Sequence, residues 1–281
     1  MTICMDLFQN TLNDIYKAKM TSDPTGGSIP QIRNTKLAFG AEPSQFTYRL
    51  RLARYKALAE AVAAYVTHPR APIKFCLLDV GVGSGRSMRY IEAEKVAHLI
   101  DFYGLDLKNG RLESVYAPER WRLYQGDIQD RTPFELGHFD IVLCEQVLEH
   151  LDDPPAAMRE IARVLKPGGL LVLGVPIFPW GVSHLRRLLV HILKDYFGVS
   201  RSHVQTFDSR SVMHLVQADH RFVTSRMYGL RILSGGLLSK LEDFCWWFRF
   251  NRWLGRIAPS LCIEIQVVAR RMPEPVIPAD R

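Results

Sequence analysis

A chain of 281 residues with 47% hydrophobic and 23% charged residues has the composition of a globular protein able to bury one large core with additions, which excludes a disordered or fibrous class. Its five cysteines, Cys4, Cys76, Cys144, Cys245 and Cys262, are scattered without a CxxC pair, so neither a disulfide framework nor a zinc site is expected. The net charge of +7 would suit nucleic acid, anionic lipid or an acidic substrate, but charge bears on encounter rather than on fold or reaction.

In chain order, "MTICMDLFQNTLNDIYK" carries Asp6, no basic leader and no long apolar block. It reads as neither a signal peptide nor a membrane span, and a cytoplasmic location is the default expectation. Residues 1–70 hold two helical runs, the second being "PSQFTYRLRLARYKALAEAVAAYV", joined by the Gly-, Pro-, Ser- and Thr-containing "TSDPTGGSIP"; together they are expected to form an N-terminal helical cap. From residue 71 short β-rich runs alternate with helical segments, the pattern of a parallel sheet covered on both faces. The predicted strands are Lys74 to Val80, Leu99 to Asp106, Trp121 to Gly126, Phe139 to Cys144 and Gly169 to Val175. The clearest helix, Pro154 to Leu165, starts on proline after Asp152 and Asp153 and stops at "KPGG". A capped helix, "DSRSVMHLVQAD", and two further strands, Phe222 to Leu230 and Leu261 to Ala269, complete a domain over 71–271. Insertions are expected at 177–205 and 232–258, and a disordered tail at 272–281.

The first strand runs into "LLDVGVGSGR". An acid followed by alternating glycines lets the backbone turn tightly and approach a ligand, with helix N–H groups facing it. A nucleotide cofactor is the obvious candidate. A dinucleotide fingerprint needs GxGxxG, whereas here Gly81, Gly83 and Gly85 are followed by Arg86, too bulky for close helix–strand packing. Asp106 ends the second strand about 20 residues on, where a carboxylate can accept ribose hydroxyls. Asp127 and Ile128, in "QGDIQD", follow the third strand and fall over the crevice where an adenine would lie.

With these motifs, and with "FDIVLCEQVLEHLDDP" and "EIARVLKPGGLLVLGVP", the sequence resembles a class I S-adenosylmethionine-dependent methyltransferase from about Lys74 to Val175, in the branch of ubiquinone and menaquinone biosynthesis enzymes and small-molecule methyltransferases. The resemblance implies a doubly wound, mostly parallel seven-stranded α/β sheet, Rossmann-like, whose final strand runs antiparallel. It implies S-adenosyl-L-methionine as cofactor, with Asp79, Gly81, Gly83 and Gly85 framing the methionine end and Asp106 holding the ribose. Asp127 and the Ile128 backbone would meet the adenine, Cys144 and Glu145 would lie near the sulfonium and methionine moiety, and Gln146 and His150 would face the acceptor. The chain lacks the Asn/Asp-Pro-Pro-aromatic run of nucleic-acid amine methyltransferases and the Pro-Cys of cytosine enzymes, so nucleic acid is not favoured.

A sulfonium is already an activated electrophile, so the protein must mainly align the acceptor and exclude water, without a metal. Alignment is worth about 7 to 11 kcal/mol and a base roughly 3 to 5. For a hydroxyl acceptor, histidine is the natural base at neutral pH. His150 and His203 are the catalytic candidates, ahead of His184 and of His191, which shares a helix face with basic residues. Two insertions would cover the acceptor. "SHLRRLLVHILKDYFG" is amphipathic and basic, and "LEDFCWWFRFNRWLGR" crowds Trp246, Trp247, Phe248, Phe250 and Trp253 among arginines. The second is expected to be a lid or dimer surface, or else a membrane contact through 184–197 and 241–257 that would hold the protein at the inner membrane surface. The expected function is methyl transfer to a small or lipid-linked acceptor; an NAD(P)-binding oxidoreductase and a non-catalytic binding protein are the alternatives.

Overall fold

The structure, a computed structural model, describes residues 49–69, 72–107, 115–177, 207–218, 221–232, 238, 241–242 and 244–273. Most of the expected cap, all but the first residue of the insertion expected at 177–205, with His184, His191 and His203, and residues 274–281 of the tail lie outside them. After a 3₁₀ turn at Arg49–Leu52 comes helix α1, Ala53–Val66. Then follow β1 Phe75–Val80, α2 Arg86–Ala93, β2 Ile100–Asp106, β3 Trp121–Gln125 and β4 Phe139–Glu145. The C-terminal half holds α3 Pro154–Val164, β5 Leu165–Pro176, α4 Ser209–Gln217, β6 Phe222–Leu230, α5 Cys245–Ile257 and β7 Glu264–Arg271.

The strands assemble into one seven-stranded sheet in the order β3-β2-β1-β4-β5-β7-β6. β1 to β5 pair in parallel, whereas β7 lies antiparallel between β5 and β6. The central strands β1, β2, β4 and β5 and the inserted β7 are buried on both faces over most of their length, which is why β1, β2, β4 and β5 carry near-continuous apolar runs, and the two-residue period then sorts them. Leu78, Val80, Val142 and Leu173 pack with Ala157 and Ile161 of α3 and Val212 and Val216 of α4. Phe75, Leu77, Leu143 and Val172 pack on the other face with Leu58 and Val62 of α1 and Met88 and Ile91 of α2.

Local chemistry sets the helix starts. Asp153 caps α3 by accepting from Ala156 N at 3.0 Å, ahead of Pro154 and Pro155, which lack the N–H groups a first turn leaves over. Asp208 and Ser211 form a reciprocal capping box on α4.

The structure shifts three boundaries. The described part of the second N-terminal run is a 3₁₀ turn before it becomes α1. β5 begins at Leu165 rather than Gly169, because Leu165 pairs with Phe139 ahead of a register shift. β7 begins at Glu264 rather than Leu261, because Pro259–Leu261 forms a 3₁₀ turn and Cys262 fills the space beside Gly229.

Candidate active site

In this strand order the chain moves from β1 outward to β3 and then returns to the other side with β4. A crevice opens at such a switch point, outside the carboxyl ends of the strands. The glycine loop fills the exit of β1, with φ of +69° at Gly81, +54° at Gly83 and +69° at Gly85, a region that favours glycine. Gly81 N donates to Leu105 O at 2.7 Å and ties the loop to β2.

Added Cβ atoms show what the loop leaves open. At Gly81 one would stand 2.5 Å from Val147 Cγ2, and at Gly85 2.8 Å from Val115 Cγ1 and 3.2 Å from Tyr116 N. At Gly83 it would meet, among the described residues, only Gly81 O, at 3.7 Å. The loop is therefore packed at its flanks and open at its centre, the shape of a backbone cradle that a ligand can approach. Helix α2 follows directly, and Gly85 at its N-cap supplies no side-chain acceptor.

Three acids stand at the carboxyl edge on the α1/α2 face of neighbouring strands. Asp106 of β2 is buried and accepts from Gly83 N at 3.3 Å. Asp79 of β1 is buried and accepts from Ser87 Oγ of α2. Burial pushes the Asp79 carboxyl up to about 7, with the nearby Asp106 adding to the shift and the Ser87 bond opposing it. Glu145 of β4 accepts from Gln266 Nε2, and burial together with Glu264 raises its carboxyl well above the ordinary range. Its second oxygen lies where a Cβ on Gly174 would be, so Gly174 makes room for it.

Beyond Glu145 the edge is a buried polar cluster. Arg54 of α1 donates to Glu264 at 3.2 Å, Gln146 Nε2 reaches the same Glu264 oxygen at 3.2 Å, and Arg231 lies 3.1 Å from the other. Gln266 Nε2 also donates to Arg54 O at 3.1 Å. Gln146 holds φ +57°, a left-handed conformation uncommon outside glycine, fixed by its N–H on Gly174 O at 2.8 Å. Glu149 is 1% exposed, with one oxygen 3.9 Å from His150 Nε2 and the other accepting no hydrogen bond among the described residues. Burial pushes its carboxyl up to about 7, with Glu264 adding to the rise and Arg54 moderating it.

The structure thus brings Asp79, Gly81, Gly83, Gly85 and Asp106 together, with Glu145 alongside. Asp127 is pinned in its loop by accepting from Gln129 N at 2.8 Å and Gln129 Nε2 at 3.0 Å, which leaves lone pairs on both oxygens. Ile128 puts its side chain into the core, so only its backbone faces the loop surface. Cys144 likewise buries its thiol in the core on the face opposite Glu145, and burial raises its pKa well above the usual thiol range. It can meet a ligand through its backbone alone. His150 is half exposed at the crevice rim. Arg54, Ser87, Arg231, Glu264 and Gln266 carry no local sequence signal for this site; only the assembled sheet gathers them.

Comparison with known proteins places this geometry. The sequence profile of a methyltransferase domain matches residues 78–173. Among curated relatives, a ubiquinone biosynthesis O-methyltransferase of Xanthomonas axonopodis pv. citri is 32% identical over 146 residues, 47% of this chain and 60% of the relative. One from Xanthomonas campestris pv. campestris is 33% identical over 149 residues, 48% of this chain and again 60% of the relative. The matched stretch thus spans about 60% of the length of these relatives. Solved structures share the fold at low identity. The YcgJ protein of Bacillus subtilis has a TM-score of 0.53 at 18% identity, covering 79% of this chain and 100% of that one. A geranyl diphosphate methyltransferase in complex with GPP and sinefungin has a TM-score of 0.52 at 18% identity, covering 76% of this chain and 77% of that one.

Proposed function

We propose that this chain, which carries a class I S-adenosylmethionine-dependent methyltransferase domain, transfers a methyl group from S-adenosylmethionine to a hydroxyl of a small or lipid-linked acceptor. The observation that carries the proposal is the open centre of the glycine loop at Gly83, flanked by buried Asp79 and Asp106 at the switch point. The residues fit the cofactor. Asp106 would accept the ribose hydroxyls, the Gly81 to Gly85 backbone and Asp79 would hold the methionine end, and Asp127 would receive the adenine amine. Cys144 would contribute backbone only, with Glu145 beside it.

S-adenosylmethionine supplies a methyl group on a positively charged sulfonium. The chain supplies alignment and a dry crevice, whose far wall is the cluster of Gln146, Glu149 and Glu264. His150 is the proposed base, drawing the proton from the acceptor hydroxyl, with a buried Glu149 oxygen 3.9 Å from its Nε2. His203, outside the described residues, stands as the second candidate. The oxygen acceptor follows the relatives, whose names specify O-methyl transfer. The antiparallel β7 between β5 and β6 sets this sheet apart from the all-parallel dinucleotide-binding order, which counts against the NAD(P) alternative.

Titration calorimetry with S-adenosylmethionine and with NAD tests the assignment. S-adenosylmethionine should bind and NAD should not. Asp106→Ala should weaken binding by several kcal/mol through two lost charge-assisted bonds, at about 1.5 to 3 each. Gly83→Val should abolish it, since a side chain would fill the open centre. Parent-like affinity in both folded variants overturns the cofactor site.

A further inference from the structure

Helix α5 divides the aromatic run that its sequence crowds together. Trp247 and Phe248 turn inward, where they pack with Leu50, Leu52, Ala53 and Leu230. Gly255 lies against the Gly229 backbone and leaves no room for a Cβ. The opposite face stays outside. Trp246 is 57% exposed, Trp253 54% and Ile257 63%, with Phe250 between them, at helical spacings of four, three and four residues. The rings form a ridge, Phe250 and Trp253 stacking at 6.0 Å between centroids. It runs roughly 16 Å along the helix at 1.5 Å per residue.

Beside this ridge the surface is cationic. A groove of about 440 Å³ between α5 and α1 is lined by Lys56, Arg249, Arg252 and Arg256. A cavity of about 690 Å³ adjoins it over β6 and β7, adding Arg226 and Arg270. Among the described residues Glu60 is the one carboxylate lining either, and it is taken by Arg252, whose Nη1 stands 2.9 and 2.7 Å from its two oxygens. Arg226, Arg249 and Arg256 are exposed. An apolar ridge beside exposed guanidinium groups matches a layered partner, apolar below and phosphate-rich above. A second copy of the chain fits less well, because a two-fold contact on this face would set one arginine flank against its twin.

We propose that α5 docks the protein on an anionic phospholipid membrane, with Trp246, Phe250, Trp253 and Ile257 entering the headgroup boundary and Arg226, Arg249 and Arg256 holding lipid phosphate. The docking is independent of catalysis. Its consequence for the acceptor rests on the activity proposed above: α5 packs on β6 beside Leu230, which pairs with Glu264 of the acceptor-side cluster, so docking sets that edge near the lipid.

Vesicle co-sedimentation tests this, using phosphatidylcholine with and without phosphatidylglycerol at low and high salt. The parent should sediment only with phosphatidylglycerol vesicles at low salt, with a blue shift in tryptophan emission. Arg249→Glu with Arg256→Glu should weaken sedimentation on the order of tenfold or more. Trp246→Ser with Trp253→Ser should weaken it comparably and remove the blue shift. All these side chains are exposed, so circular dichroism and calorimetric binding of S-adenosylmethionine should match the parent. No sedimentation of the parent at low salt overturns the docking, as does binding of inorganic phosphate or a single-stranded oligonucleotide without binding of vesicles. So does a dimer that the tryptophan variant dissociates. A parent that binds the cofactor but no vesicles would sink the docking alone, and a parent that binds vesicles but not the cofactor would sink the methyl-transfer reading alone.

Discussion

Asp79 is a residue whose environment can be tested by titration. Burial raises its carboxyl from 3.8 to about 7, so the folded state holds the proton more tightly than the unfolded chain does. The stability this proton confers is complete below about pH 4 and is lost as pH climbs toward 7, after which it stays lost. Asp79→Asn mimics the protonated form and can still accept from Ser87. The variant should match the parent near pH 4 and exceed it above pH 7 by on the order of a few kcal/mol. Urea midpoints measured across that range check it, and a constant difference would show that Asp79 is ionised throughout. His150 makes the companion prediction. His150→Ala should lower turnover without loosening the cofactor, and the deficit should shrink at high pH, where the acceptor hydroxyl ionises unaided. An unchanged pH profile would remove His150 from proton transfer. The glycine loop, Asp79 and Asp106 were legible in the sequence because their spacing is local to one βαβ unit. Arg54, Glu264 and Gln266 were not, because 210 residues separate Arg54 from the carboxylate it meets.

Most elements could be placed from periodicity alone. The predicted strand Phe222 to Leu230 coincides with β6, and β1 to β4 differ by one residue at an end. The displaced boundaries belong to β5 and β7, whose extents depend on partners rather than on their own composition. Arg270 and Arg271 look like residues past the end of a strand, yet Arg271 is buried and donates to Leu165 O. Helix α5 shows a second kind of limit. Its sequence predicts amphipathicity, but six large side chains within ten residues leave the inward face undefined until α1 and β6 are in place. Trp247 is 7% exposed, so Trp247→Ala should cost about 3 to 5 kcal/mol, whereas Trp253→Ala should change stability by less than about 0.5. Paired denaturation curves decide, and equal losses would mean that the outer ridge is covered in solution.

At the scale of the whole molecule, a ligand held as proposed at the switch point would touch the loops after β1, β2, β3 and β4, so its binding would stabilise the entire sheet. S-adenosylmethionine at about 100 times its Kd should add about 2.7 kcal/mol, raising Tm by roughly 5 to 10 °C for a domain of this size. NAD at the same concentration should leave Tm unchanged. A melt insensitive to both would favour the non-catalytic alternative.

The position of β7 also bears on how the molecule is made. Among the described residues β6 pairs with β7 alone, yet β6 precedes it in the chain. A growing polypeptide therefore completes β6 before the strand that joins it to the sheet exists, and meanwhile the outer edge of β5 stays open. An unpaired strand edge is a template for wrong partners, and pairings this distant in sequence form slowly. The stretch from Phe222 to Ser260 is thus an interval of exposure to misassembly, closed only when Glu264–Arg271 slides between its two neighbours and lets Glu264 reach Arg54.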